Sequence, residues 1–184
     1  MQFNDHRKLN GLHAFLGASN YHWLNYSDEK LEQRWQSLKA VERGTKLHEF
    51  AAKAIELGIT QKRNGQTLNT YINDAIGYRM TPEQPLFYSE NCFGTPDTIC
   101  FRNDLLRIHD LKTGEIPAKI DQLYIYAALF CLEYGIKPGD IDMELRIYQF
   151  GEPFKDKPGP QIILPIMDKI QRFDSIITKL NNGG

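Results

Sequence analysis

A chain of 184 residues, 41% hydrophobic and 24% charged, has the make-up of an ordinary globular protein long enough for one real core. Its formal net charge of −1 excludes a protein held on nucleic acid mainly by a global basic field. It does not exclude a nuclease, because metal-binding carboxylates lower the net charge while the ions restore it locally.

Cys92, Cys100 and Cys131 are an odd set without C-x-x-C spacing, which argues against a structural zinc or a four-cysteine iron–sulfur cluster within one chain. They read as reduced thiols in or near the core. The polar opening Met1–Asn10 is not a signal peptide, and no stretch reaches the apolar length of a membrane span. The expectation is a cytoplasmic protein that does not enter a membrane.

In chain order, His13, His22, Trp23 and Tyr26 form an aromatic cluster. It either stacks on unpaired bases or, the preferred expectation, packs the first helices together through Phe15, Tyr21 and Trp23. Ser27 followed by Asp28 and Glu29 signals a helix start. That helix carries Leu31, Trp35, Leu38 and Val41 and runs to about Arg43. Gly44 is expected to interrupt it. Thr45 then caps a second helix with Leu47, Phe50, Ala51, Ala54 and Ile55, closed by Gly58. A third helix covers about Asn69 to Arg79.

Pro82 and Pro85 end this helical part, residues 1–80, and a strand-rich core over 81–184 follows within one domain. Strands are expected at Leu86–Asn91, Asp97–Arg102 and Leu105–Lys112. Pro117 opens a helix over Ala118–Tyr134, ended by Gly135. Strands at Asp142–Phe150 and Gln161–Ile166 flank a Pro/Gly-rich loop, Gly151–Pro160, and Asp168 caps a final helix with Ile170, Phe173, Ile176, Ile177 and Leu180. The order β-β-β-α-β-β-α predicts an α/β (α+β) protein with a mixed central sheet flanked by helices.

The chemistry concentrates in one hairpin. Asn103 and Asp104 tolerate positive φ and suit a two-residue loop. Pairing about them sets Ile99 opposite Ile108, Phe101 opposite Leu106 and Asp97 opposite Asp110, all on one face. The apolar four face the core, and the two acids stand at its far end. Like charges directly opposed are destabilising, so the pair needs a cation, a shared proton or water. A divalent metal fits best, since Mg²⁺ is held by one or two carboxylates plus water and phosphate. Lys112 projects from the same face and would orient the attacking water or stabilise charge on a phosphate. The bland alternative is a solvated hairpin end with ordinary surface pairs.

Gly94-x-x-Asp97, Asp110-Leu-Lys112-Thr-Gly and Gln122-Leu-Tyr-Ile-Tyr126, preceded by Gly44-Thr-Lys-Leu-His48, resemble the ordered motifs of the RecB-type branch of the PD-(D/E)XK nuclease superfamily. The resemblance spans roughly residues 44–150. It implies a restriction-endonuclease-like core and Mg²⁺- or Mn²⁺-dependent hydrolysis of DNA. His48, Asp97, Asp110 and the Leu111 carbonyl would be metal ligands, Lys112 the catalytic lysine, and Gln122 and Tyr126 would contact the DNA backbone or brace the site. By spacing alone, Lys119, Gln122 and Tyr126 share one helix face able to meet a phosphate, or form the polar fringe of an amphipathic helix. Taken alone, His48 reads as a hydrogen-bonded core histidine, and Glu90 is a further candidate near the site. The chain looks most like stand-alone phage- or mobile-element exonucleases acting on DNA ends in recombination or repair, such as those paired with a strand-annealing recombinase. Relatives can form closed homo-oligomeric rings, though nothing in this sequence specifies such an interface. The alternative is a catalytically silent nuclease-like fold that binds DNA or a protein partner.

Overall fold

The structure is a computed structural model describing residues 5–9 and 11–182; residues 1–4 and 10 of the opening segment lie outside it. The chain divides between Glu42 and Arg43 into two compact units.

In the first unit, 3₁₀ turns at Arg7–Leu9 and Ala18–Asn25 precede the start of helix α1, Asp28–Glu56. Phe15 meets Trp35 edge-on at 5.2 Å, and Trp23 Nε1 donates to the Gly17 carbonyl. The aromatic cluster thus packs in part, while Tyr21 stays 61% exposed. Ser27 Oγ accepts from the Lys30 amide at 3.3 Å, with Asp28 and Glu29 in the first turn, as the start signal requires.

The expected break at Gly44 does not occur, and α1 continues through it. A helix interior tolerates glycine at a cost of about 1 kcal/mol relative to alanine. Packing explains its presence: Gly44 is buried, and a Cβ there would lie 2.9 Å from Thr113 Oγ1. The missing side chain lets α1 approach the exit of the central strand. Beyond the helix, Gly58 turns the chain with φ 67°.

The second unit is built on a five-stranded sheet in the order β1 (Thr81–Pro82), β4 (Thr98–Arg102), β5 (Leu105–Leu111), β6 (Asp142–Tyr148) and β7 (Phe154–Asp156). The β5–β6 pair is parallel and the others antiparallel. A parallel pair needs a crossover, supplied by α3 (Asp121–Tyr134). A separate ribbon pairs β2 (Leu86–Ser89) with β3 (Cys92–Gly94). The mixed α/β class is as expected from the sequence.

Both faces of the sheet are buried. Ile99, Leu106, Ile108, Leu145 and Ile147 pack against α3 and α4 (Pro160–Asn182). On the other face, Cys100, Leu111 and Tyr148 pack against Ala51, Ala54 and Ile55 of α1 and Tyr71, Ile72 and Ala75 of α2 (Thr67–Gly77). That second face also holds a polar cluster. Arg146, 5% exposed, bonds Asp74, Glu144 and the Tyr78 hydroxyl at 2.8–3.0 Å. Burial, then the Arg146 charge, hold the His109 imidazole well below its usual pKa. All three cysteines are free thiols, and no helix among the described residues is long and apolar enough to cross a membrane.

Three sequence expectations are corrected here. The strand placed at Gln161–Ile166 is the start of α4, which begins at Pro160 and not after Asp168. Its apolar run is ambiguous by itself, and Ile163, Ile166 and Ile170 supply the helical spacing that wins. The strand expected there is replaced by β7, inside the segment read as a loop. Helix α3 starts at Asp121 rather than after Pro117, because Gln149 ties down the preceding loop, accepting from the Ala118 amide at 2.9 Å and donating to the Gly114 and Ile116 carbonyls.

Ile108 is fully buried at the centre of β5, whereas Phe101 on the same face is 38% exposed. Ile108→Ala is expected to cost about 2–5 kcal/mol and Phe101→Ala distinctly less, read from urea midpoints. Gly44→Ala should gain less than the ~1 kcal/mol of helix propensity in the native chain, and the full gain in a Thr113→Ala background; thermal unfolding of the wild type, the two single variants and the double variant checks this coupling.

Candidate functional site

Asn103 and Asp104 both take left-handed backbone angles, φ 51° and 57°, so the loop is the two-residue type that suits a twisted hairpin. The observed pairs run from Arg102↔Leu105 to Thr98↔His109. This is the register expected from the sequence. Its continuation by one step sets Asp97 beside Asp110, and by two sets Pro96 beside Leu111.

Ladder pairing stops at Thr98, and Asp97 takes over with its side chain. Its Oδ2 accepts from the Leu111 amide at 2.7 Å. Amide and carbonyl of one residue point to the same neighbour in such a ladder. The Leu111 carbonyl therefore faces the Asp97 side, where Pro96 has no N–H to offer it. The other carboxylate oxygen of Asp97 lies 3.3 Å from His48 Nδ1. His48 sits one turn after Gly44, so the close approach of α1 is what delivers it. Its hydrogen bond with Asp97 outweighs burial and raises the imidazole pKa.

Asp110, at the end of β5, is 3% exposed. Lys112 Nζ donates to its Oδ1 at 3.1 Å; Oδ2, 3.0 Å from the same nitrogen, receives no aligned hydrogen bond. Burial and the nearby Asp97 charge push this carboxyl up to about 6, against the pull of Lys112 and His48. The lysine is fixed in turn. Its Nζ donates to Gln122 Oε1 (2.9 Å), Gln122 Nε2 donates to the Tyr126 hydroxyl (3.0 Å), and that hydroxyl donates to the Thr95 carbonyl (3.0 Å). A Cβ on Gly94 would lie 2.9 Å from Tyr126 Cε1, so glycine there makes room for the ring.

The structure thus brings His48, Asp97, Asp110, Leu111, Lys112, Gln122 and Tyr126 to one end of the β4–β5 pair. Gln122 and Tyr126 brace the lysine. Lys119 does not join them: it is exposed and precedes α3, so the one-turn spacing that aligned it with Gln122 does not apply. Glu90 lies in the turn between β2 and β3, whose neighbours Ser89 and Asn91 bond Asp174 of α4. That end of the ribbon is tied to α4 rather than to the site.

Two contributors escaped the sequence reading. Gln149 holds the loop between β5 and α3, and Tyr71 of α2 is buried near enough to Asp97 that burial, and then the Asp97 charge, raise the phenol pKa. Tyr71 was indistinguishable from other apolar positions of its helix. A lone glutamine after a strand carries no spacing signal.

Among the described residues, no three His, Cys, Asp or Glu side chains converge as a ready-made metal cage. His48 is taken up by Asp97, and Asp110 by Lys112. The donors still suit a hard divalent cation, which needs only one or two carboxylates with water completing its shell. A buried carboxylate oxygen without a hydrogen bond, beside a second carboxylate, is a site short of positive charge.

Asp97→Ala should strand the Leu111 amide and cost about 1–3 kcal/mol, while Asp97→Asn, which keeps a carbonyl acceptor, costs less; equilibrium unfolding in urea measures both. No protein-family model matches the chain, and no curated protein does.

Proposed function

We propose that this protein is a metal-dependent nuclease that hydrolyses DNA phosphodiester bonds, acting on DNA ends. The observation that carries the reading is the buried Asp110 carboxylate beside Asp97, with the ammonium of Lys112 held over it by Gln122 and Tyr126. Structural surface pairs need neither the burial nor the relay behind the lysine.

Asp97, Asp110, His48 and the Leu111 carbonyl would hold Mg²⁺ or Mn²⁺. When bound, such an ion polarises the phosphate and lowers the pKa of water. The chain's own residues then divide the remaining work. Lys112 has three donors, two of them directed at Asp110 and Gln122, which leaves one for a water or a phosphate oxygen. Its charge stabilises the negative charge that grows on the phosphate as water oxygen bonds to phosphorus. The phosphorus–oxygen bond to the departing strand breaks, and that oxygen takes a proton. Gln122 and Tyr126 keep the lysine in place without touching the reacting atoms, which limits the reorganisation needed for each turnover.

A second reading, a nuclease-like fold that binds DNA or a protein without cutting, is favoured by one observation: His48 and Lys112 already occupy the two carboxylates. Both pairs would have to open for metal entry.

The test is cleavage of 5′- and 3′-labelled linear DNA, and of circular DNA, with and without Mg²⁺. Wild-type protein is expected to degrade linear DNA only with metal. Asp110→Asn and Lys112→Ala should each lower the rate by at least about 10²-fold while circular dichroism stays unchanged. Absence of cleavage by the wild type, with no heat of Mg²⁺ or Mn²⁺ binding in calorimetry, would leave the silent reading standing.

A further inference from the structure

Strand β6 ends at Tyr148, and the next three residues form a corner pinned on both sides. Gln149 Nε2 donates to the Gly114 (2.7 Å) and Ile116 (2.9 Å) carbonyls, and its Oε1 accepts from the Ala118 amide (2.9 Å). On the other side the Gly151 amide donates to Thr67 Oγ1 of α2 at 2.8 Å. Between these anchors Phe150 has φ 56°. Glycine adopts that left-handed conformation freely and a bulky side chain rarely does. The ring receives no burial in return, being 67% exposed. An unfavourable backbone conformation and an exposed aromatic at one residue, both imposed by its neighbours, indicate a functional constraint rather than a packing one.

The corner adjoins the site. The Lys112 amide donates to the Tyr148 carbonyl at 2.9 Å, so β6 leaves the sheet beside the exit of the strand that carries Asp110 and Lys112. The loop clamped by Gln149 connects Lys112 to α3 and presents Ile116 at 84% exposure. With a formal charge of −1, the chain carries no overall basic field to hold a DNA strand, so contacts other than long-range charge add to affinity. Aromatic stacking supplies such a contact and accepts any base.

We infer that the Phe150 ring stacks on an unpaired nucleobase of the DNA strand whose phosphate enters the Asp110–Lys112 site. This rests on the nuclease reading above. The pinned backbone of Gln149–Gly151 fixes the direction in which this side chain leaves the main chain, so little backbone freedom is lost when the base arrives.

The experiment compares wild type with Phe150→Ala, Phe150→Gly and Phe150→Trp. Dissociation constants are measured for a fluorescein-labelled single-stranded oligonucleotide without metal, and KM for its cleavage with Mg²⁺. The Ala and Gly variants should weaken the strand by roughly ten-fold or more, with Trp as tight as wild type. In an oligonucleotide series with one abasic position moved along the strand, one placement should weaken wild type and leave Phe150→Gly unaffected. Phe150→Gly should unfold at the same or a higher temperature than wild type, since it relieves the left-handed backbone. Equal binding and KM across all four proteins, with cleavage intact, would overturn the inference and spare the nuclease reading. A lower unfolding temperature for Phe150→Gly would show a packing role and overturn it as well. A wild type that neither binds nor cuts DNA would remove the nuclease reading, and the inference with it.

Discussion

The site depends on keeping a carboxylate out of water. Asp110 is placed by a strand that is covered on both faces, so its charge must be answered locally. Lys112 gives part of that answer and Asp97 works against it. A charge balance left open at a buried carboxylate is costly for stability, and under the proposed function an incoming cation would meet ligands that gain from its arrival. The surrounding relay of Gln122, Tyr126 and Thr95 serves the same end. It fixes the lysine so that its position does not depend on Asp110 alone.

The core and the site are not separable in this protein. Gly44, in the middle of a long helix, has no catalytic group, yet its missing side chain sets how near α1 comes to Thr113 and so where His48 meets Asp97. Gly94 plays the matching part for Tyr126. The polar cluster around Arg146 lies on the face opposite α3, where it anchors Asp74 of α2 to β6 and so holds α2 against the sheet.

Much of this was legible in the sequence, for identifiable reasons. The hairpin could be read because Asn-Asp fixes a turn type, and strand alternation then dictates every later pair, including Asp97 with Asp110. Helix α3 and its stop at Gly135, φ 63°, were visible from composition. The failures share a cause. At Gly44, Ala118 and Gln161–Ile166 local preference points one way, and a contact distant in sequence, or a longer periodicity, decides the outcome. Gln149 was invisible because its role is to satisfy backbone groups of a loop more than thirty residues away.

The parallel pairing of β5 and β6 has a further consequence. Parallel neighbours finish at the same edge of the sheet, so the chain leaves both strands on the side where the acids and lysine stand, while their entry ends are occupied by the tight Asn103–Asp104 turn and the Asp142 start. Beyond Lys112 and Gln149, changes in those two exits would alter the surface around the site without disturbing a single rung of the ladder. The scaffold thereby leaves the outer parts of both exits free to vary while the paired strands hold Asp110 in place.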